Sequence, residues 1–92
     1  MADEILTFAQ AGSENKGDAL VSVSPNPDGG IQISIAAKAI IRQQFGEHIE
    51  NLLHRAAAEK GIGSARIEVK DCGALDYVIR ARLFCAMRRS GV

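Results

Sequence analysis

The sequence predicts an α+β fold: a small, mostly antiparallel sheet, built from an N-terminal β-hairpin and a later strand, with two helices packed on one face. Three observations lead to this class. Apolar and polar residues alternate with a period of two over residues 19–24, 31–35 and 65–70, which is typical of half-buried strands. Apolar residues recur at steps of three and four over residues 36–60 and 75–90, which is typical of amphipathic helices. Turn-forming residues separate these segments.

Length and composition limit what this chain can be. Its 92 residues suffice for one small domain, which we expect to span residues 1–92. Aromatic residues make up 4% of the chain, so the core must be built from aliphatic side chains. Eleven basic and eleven acidic residues cancel, and a neutral chain lacks the basic face that nucleic-acid binding needs.

The lack of a recognisable export or membrane signal favours the cytoplasm. No apolar run is long enough to cross a membrane, and the acidic start Met1-Ala2-Asp3-Glu4 is unlike a secretory signal peptide. The two cysteines, Cys72 and Cys85, are too few for a disulfide framework. We therefore expect a cytoplasmic protein with reduced thiols and no membrane partner.

The N-terminal half contains the predicted hairpin. Residues 1–10 include a short apolar patch that could form an edge strand or an arm docked on the core. Residues 11–18 are small, polar and flanked by glycine, which predicts an exposed loop or tight turn. The alternating segments 19–24 and 31–35 are separated by Pro-Asn-Pro-Asp-Gly-Gly, a strong turn sequence, so we predict that they pair as a β-hairpin.

The C-terminal half is predicted to form a helix, a strand and a second helix. The first helix should end before Gly61, because a glycine just beyond the last turn is a common helix stop. The strand at 65–70 leads through Asp71-Cys72-Gly73 into the second helix with almost no loop. Gly73 allows a sharp turn, and Asp71 is suited to accept hydrogen bonds from backbone N–H groups at a helix start.

Few side chains suggest catalysis or metal binding. His48 and His54 lie six residues apart on different faces of the first helix, so they do not form the i, i+4 pair of a helical metal site. Cys72 stands near a helix start, which can lower a thiol pKa, but no His or Asn accompanies it as in a catalytic thiol. Cys85 is most simply a small buried residue. We therefore predict no catalytic residue and no metal site.

The second helix carries four arginines. Arg80, Arg82, Arg88 and Arg89 lie on its polar side, where the only acidic residue is Asp76, which could pair with Arg80. One interpretation is a solvated charged flank. The other is a docking surface for an anionic group or an acidic partner, since arginine offers forked donors.

Several segments together resemble a known family. Residues 71–76, Asp-Cys-Gly-Ala-Leu-Asp, and 78–82, Val-Ile-Arg-Ala-Arg, resemble the D-x-G-A-L-D/E-x-x-L/I-R-A-R segment of the gamma subunit of citrate lyase, its acyl carrier protein. Residues 43–49 are similar to that family's K-Q-F/Y-G-x-x-I segment. Residues 11–12 and 17–21 match both ends of its A-G-T-L-E-S-G/S-D segment and the strand that follows, with the spacing preserved. The resemblance covers nearly all of the chain.

This resemblance implies a carrier subunit that is not itself a catalyst. In the family, the serine before the G/S-D pair carries a prosthetic group, derived from 2'-(5''-triphosphoribosyl)-3'-dephospho-CoA, as phosphoribosyl-dephospho-CoA in phosphodiester linkage. The group holds an acetyl or citryl thioester while the complex splits citrate into oxaloacetate and acetate. The implied partners are the alpha (acyl transferase) and beta (lyase) subunits and a prosthetic-group transferase.

The chain departs from the family pattern at the attachment position. Lys16 stands there, followed by the matching Gly17 and Asp18, and lysine cannot form the same ester. Ser13 is the only hydroxyl in the loop and lies three residues earlier. Two hypotheses follow: a carrier that uses Ser13 after a local shift of the loop, or a carrier-like structural or interaction subunit that has lost the attachment serine.

Overall fold

The computed structural model describes residues 3–91 and contains two α-helices packed against a mixed β-sheet. The predicted α+β class is confirmed. In chain order the elements are β1 (Asp3–Glu4), β2 (Ala9–Gly12), β3 (Ala19–Ser24), β4 (Gly30–Ala36), α1 (Ala39–Glu59), β5 (Ile62–Asp71) and α2 (Asp76–Arg89).

The ten-residue strand β5 lies at the centre of the sheet. It pairs antiparallel with β3, where Val69 faces Val21, and parallel with β4, where Ile67 faces Ile33. β2 pairs antiparallel with β3 from outside, and the short β1 runs parallel to the first residues of β5. The sheet is therefore mixed, whereas the sequence predicted a mostly antiparallel one.

The predicted hairpin between the two N-terminal alternating segments is wrong. Those segments are β3 and β4, and β5 lies between them. The turn between them crosses the N-terminal end of β5. Within this turn, the side-chain amide of Asn26 donates to the carbonyls of Gly29 and Gly30 at 2.9 and 3.0 Å. The Ser64 hydroxyl, near the start of β5, donates to the Asn26 carbonyl at 3.1 Å. The N-terminal hairpin of this fold is instead β2–β3.

The core lies between one face of the sheet and the two helices. α1 packs against β4 and β5, and α2 against β2 and β3. As predicted, the core is aliphatic, and its largest fully buried side chains are Ile5, Leu53, Ile67, Ile79, Leu83, Val21, Val23 and Val69. The alternating pattern of β3 and β5 places Val21, Val23, Ile67 and Val69 toward the helices and the polar residues on the open face of the sheet.

Some residues on the apolar stripes of the two helical patterns are not buried in the core. Phe45 and Leu75 fall on the predicted apolar stripes, yet 50% and 61% of their surfaces are exposed. Phe45 lies in the N-terminal half of α1, and Leu75 immediately precedes α2. The apolar stripes are therefore buried from Ile49 onward in α1 and from Ile79 onward in α2.

Candidate functional site

The loop between β2 and β3, residues 13–18, contains all four predicted site residues. Gly12 ends β2 with a φ of 99°, in the left-handed region that favours glycine, and turns the chain into the loop. Glu14, Asn15, Lys16 and Gly17 are exposed, as predicted for the loop at residues 11–18, but Ala11 and Gly12 belong to β2 and Ala11 is buried. The loop is displayed on the surface and begins and ends at paired strands.

Backbone hydrogen bonds hold the base of this loop against the turn that follows β5. The Gly17 N–H donates to the Cys72 carbonyl at 2.7 Å, and the Cys72 N–H donates to the Asp18 carbonyl at 3.0 Å. Within the loop, the Asp18 N–H donates to the Asn15 carbonyl at 3.0 Å. The base of the loop is thus fixed on the scaffold while its tip faces solvent.

A cluster that we call the loop clamp, formed by Ser13, Asp18 and Arg82, joins this loop to α2. The Ser13 hydroxyl donates to Asp18 Oδ2 at 2.7 Å. Arg82 donates from Nε to Asp18 Oδ1 at 3.0 Å and from Nη2 to Oδ2 at 3.2 Å, a forked contact that fixes the carboxylate in one orientation. The Ala19 N–H also donates to Oδ1, at 2.7 Å.

The loop clamp keeps the Asp18 carboxyl ionised. Hydrogen bonds from the Ser13 hydroxyl first, and from Arg82 and the Ala19 N–H next, lower the pKa of Asp18 from 3.8 to about 2. Such a carboxylate is a weak base near neutral pH, so its role toward Ser13 is orientation of the hydroxyl and not removal of its proton.

This shift predicts how stability depends on pH. Because the folded-state pKa of Asp18 lies below the unfolded value, the contribution of the carboxylate is fully present above about pH 3.8 and is lost as pH falls toward 2. We expect Asp18→Asn to be less stable than the wild type at pH 7, with the difference in thermal midpoint shrinking between pH 4 and pH 2. Thermal unfolding by circular dichroism across this range measures it.

The control for the loss of one negative charge is Asp28→Asn. Asp28 is exposed in the loop before β4, and its carboxylate accepts no hydrogen bond from residues 3–91. A stability difference for Asp18→Asn that persists unchanged down to pH 2 would contradict the assignment.

Ser13 and Lys16 are placed differently in the loop. The Ser13 side chain is half-buried at the base, where it also accepts a hydrogen bond from the Asn15 N–H at 3.3 Å. Lys16 is exposed at the tip. Ser13 therefore offers an oriented, half-buried hydroxyl, and Lys16 offers an exposed cation in the same loop.

Two adjoining depressions lie next to the loop. One, which we call the loop recess, has a volume of about 640 Å³ and is lined by Glu14, Lys16, Lys38 and Cys72 together with three residues that it shares with the other: Ile41, Asp71 and Gly73. The other, which we call the helix cleft, has a volume of about 480 Å³ and lies between the N-terminal parts of α1 and α2. The shared lining makes them one continuous surface.

The turn after β5 forms the floor between these two depressions. Asp71 is buried, and its Oδ1 accepts hydrogen bonds from the Gly73 and Ala74 N–H groups at 3.0 and 2.9 Å. Asp71 thus accepts backbone hydrogen bonds as predicted, but it stabilises the turn, because α2 begins only at Asp76. Cys72 and Cys85 are both free thiols and half-buried.

Partners distant in sequence engage most of the arginines on α2. Arg80 forms an ion pair with Glu59 and lies over the Phe84 ring, with its guanidinium 4.7 Å from the ring centroid. Arg82 belongs to the loop clamp, and Arg89 donates to the Gln10 carbonyl at 2.9 Å. Three of the four arginines therefore connect α2 to other segments of the chain, a role that neither interpretation from the sequence included.

His48 also has a partner that the sequence analysis missed. Its Nε2 lies 2.5 Å from Asp76 Oδ2, so the pair joins α1 to α2 at the rim of the helix cleft. The predicted pair of Asp76 with Arg80 does not form. No pattern along either helix could reveal the contact, because the two residues are 28 positions apart.

The described part of the chain has neither a metal-binding cluster nor a membrane-spanning helix. Within residues 3–91, no group of three or more His, Cys, Asp or Glu side chains is arranged to hold a metal ion. Neither helix in this part of the chain combines the length and the apolar character needed to cross a membrane.

Comparison with known proteins gives consistent relatives. Residues 7–90 match the family model described as Malonate decarboxylase delta subunit (MdcD). The citrate lyase acyl carrier protein of Streptococcus equi subsp. zooepidemicus (strain MGCS10565) is 39% identical over 87 residues, which are 95% of this chain and 83% of that protein. The citrate lyase acyl carrier protein of Streptococcus pyogenes serotype M5 (strain Manfredo) is 36% identical over the same coverage.

A solved structure has the same fold. A chain in the crystal structure of a Pseudomonas malonate decarboxylase hetero-tetramer in complex with malonate superposes with a TM-score of 0.69. The match covers 99% of this chain and 93% of that one at 20% sequence identity. At this identity the likeness extends to the fold alone.

Proposed function

Because this chain belongs to the acyl carrier protein family that includes the malonate decarboxylase delta subunit and the citrate lyase acyl carrier proteins, we propose that it is a non-catalytic acyl carrier subunit of a citrate lyase complex. In this proposal one carrier domain spans residues 1–92 and acts in the cytoplasm. The relatives at 36–39% identity favour a citrate lyase over a malonate decarboxylase complex.

The observation that carries the proposal is the loop of residues 13–18. A carrier needs an attachment point that another enzyme can reach, on a scaffold that keeps its position. The exposed tip, Glu14, Asn15 and Lys16, and a base bonded to the turn after β5 meet both needs. The loop clamp adds a hydroxyl, that of Ser13, held by the ionised Asp18.

The residues of the loop fit the phosphoribosyl-dephospho-CoA group that the family resemblance implies. A phosphodiester needs a hydroxyl oxygen, and Ser13 supplies the one hydroxyl of the loop. Lys16 and Lys38 line the loop recess and provide positive charge for phosphate groups of an arm that begins at the loop. When bound, the group supplies a thiol that carries the acyl unit as a thioester.

In this proposal the chain itself positions and does not catalyse. Asp18 orients the Ser13 hydroxyl for a prosthetic-group transferase, which makes the linkage. Gly17 holds the loop to Cys72 while the tip remains accessible. Tethering raises the effective concentration of the carried acyl group at the alpha and beta subunits to the millimolar range or above.

Lys16 favours the second candidate function. It stands where the family has its attachment serine, and an amine cannot form the same phosphodiester. The alternative is therefore a carrier-like subunit that keeps the fold and its place in a complex but carries no arm. The two candidates differ in one measurable property, the covalent loading of the chain.

Intact mass spectrometry tests this property. We expect the chain, expressed together with the enzymes that synthesise and transfer the prosthetic group, to gain the full mass of that group. Ser13→Ala should lose the entire increment because the acceptor oxygen is gone. Ser34→Ala, which removes an exposed hydroxyl from β4, should load like the wild type.

Lys16→Ser restores the serine that the family has at this position. This variant is informative if the wild-type chain does not gain the prosthetic group. An unmodified wild type together with a loaded Lys16→Ser variant would reject Ser13 as the attachment point and establish the armless alternative. Loading of the wild type that survives Ser13→Ala would place the attachment elsewhere and contradict the role assigned to Ser13.

A further inference from the structure

The helix cleft exposes apolar side chains that the helical patterns assign to a core. Phe45 is on the apolar stripe of α1, and Leu75 is on the apolar stripe of the segment that enters α2. Both are at least half exposed. Tyr77, with 69% of its surface exposed, lies beside them. Since isolated exposed apolar residues are common, the informative feature is that these three line one cavity.

The cavity has the size and the character of a site for a small organic group. Its volume of about 480 Å³ falls within the range of roughly 300–1,000 Å³ that is usual for ligand pockets. Ile41, Ile49 and Ile79 complete its apolar wall, and the His48–Asp76 pair forms part of its rim. It is therefore an apolar groove with few polar groups.

The loop recess differs from the helix cleft in its charge. Lys16 and Lys38 line it, and neither lysine is in an ion pair within the described residues. The carboxylates nearby are already engaged: Glu14 lies 3.8 Å from the Lys70 amine, and Asp71 accepts hydrogen bonds from the backbone of the turn. The recess is therefore suited to an anion.

We propose that the loop recess and the helix cleft together form a resting site for the chain's own prosthetic arm. The arm would lie with its phosphates at Lys16 and Lys38 and with its uncharged pantetheine part against Phe45, Leu75 and Tyr77. This inference rests on the proposed carrier function, because the arm must begin at the loop. It assigns Lys16 a role in binding, whichever residue forms the covalent bond.

The order of chemistry along the surface supports this occupant. A nucleotide–pantetheine arm attached at the loop has its phosphates nearest the attachment point and its uncharged part farther away. The surface has the same order, because the recess with its two lysines adjoins the loop and the apolar cleft continues from it through Ile41, Asp71 and Gly73. A free partner helix would need the apolar cleft but not the cations beside the loop.

Tethering sets the affinity that such a site requires. A flexible tether holds the arm at an effective concentration of the order of millimolar, so a dissociation constant near 1 mM gives about half occupancy. Weak binding of this kind keeps the arm available to partner subunits. The free analogue 3'-dephospho-CoA should therefore bind at millimolar concentrations.

The test is a titration of the isotope-labelled chain, as purified without the loading enzymes, with 3'-dephospho-CoA and separately with pantetheine. Amide NMR signals of Phe45, Leu75 and Tyr77 should shift and saturate with both compounds, and those of Lys16 and Lys38 with 3'-dephospho-CoA alone. Leu75→Ser should weaken binding about fivefold, since it removes much of one apolar contact.

Matched variants separate the cleft from general effects of exposed residues. Leu6→Ser also removes an exposed leucine, 71% accessible and outside the cleft, and should leave the affinity unchanged. Lys16→Glu should weaken 3'-dephospho-CoA but not pantetheine, and raised salt should have the same selective effect.

The outcomes distinguish this inference from the carrier function. Absence of saturable shifts in the cleft at about 10 mM ligand would overturn the resting site, even for a chain that loads normally. Identical cleft signals in the loaded and unloaded chain would overturn it as well. If the chain binds 3'-dephospho-CoA in the cleft but never gains covalent mass, the binding site stands and the covalent carrier function fails.

Discussion

Replacing Gly12 by alanine is expected to destabilise the fold by about 3 kcal/mol or more, and to disorder the loop that follows it. A Cβ atom at this position would lie 1.9 Å from the Ala19 carbonyl oxygen and 3.1 Å from Arg82 Cδ. The backbone must move apart to relieve this overlap, because the nearest atom belongs to the paired strand β3. The φ of 99° adds conformational strain for any residue with a side chain.

Gly17→Ala is the matched control for Gly12→Ala. Gly17 also has a positive φ, of 86°, but a Cβ there would meet no atom within 4 Å. Its cost should be limited to the conformational term, about 1 kcal/mol. Chemical denaturation of both variants measures the difference, and equal costs would show that the close approach of β3 to Gly12 has no energetic weight.

Leu83→Ala is expected to cost about 3 kcal/mol of unfolding free energy. Leu83 is fully buried on α2, and removing a buried leucine side chain both forfeits apolar burial and leaves a cavity. A chain of this length has a total stability of roughly 5–14 kcal/mol, so the variant should unfold at much lower temperature or denaturant concentration. Urea unfolding followed by circular dichroism measures the change.

Leu75→Ala separates burial from residue type. Leu75 precedes α2 on the same predicted apolar stripe as Leu83, but 61% of its surface is exposed. The same substitution should therefore cost less than about 0.5 kcal/mol. A loss comparable to that of Leu83→Ala would mean that the helix cleft is packed in solution and is not open to a ligand.

Local patterns were sufficient to predict β3, β4, β5 and both helices, but they neither located β2 nor showed how the strands pair. Periods of two and near 3.6 located β3, β4, β5 and both helices to within a few residues, because these periods follow from backbone geometry. The turn sequence of residues 25–30 correctly indicated a reversal of the chain. It could not indicate that β5 enters between β3 and β4, because that pairing joins residues more than 30 positions apart.

For the candidate site as well, the sequence located the segment but not its contacts with distant residues. The polar composition of residues 13–18 and the family resemblance located the loop, and Ser13, Lys16, Gly17 and Asp18 all lie in it. The contact of Asp18 with Arg82 was missed, because 64 positions separate the two residues and Arg82 looked like one of four similar surface arginines. Contacts between distant segments carry no periodic signal in the sequence.

The central position of β5 has a consequence for biosynthesis. During translation, residues 1–61 emerge before β5, and the strands β3 and β4 that flank it make no ladder with each other. Until residues 62–71 leave the ribosome, only the β2–β3 ladder and α1 can form, with their apolar faces uncovered. Assembly of the sheet, and with it the bonds from Gly17 and Asp18 to Cys72, must therefore wait until most of the chain has been made.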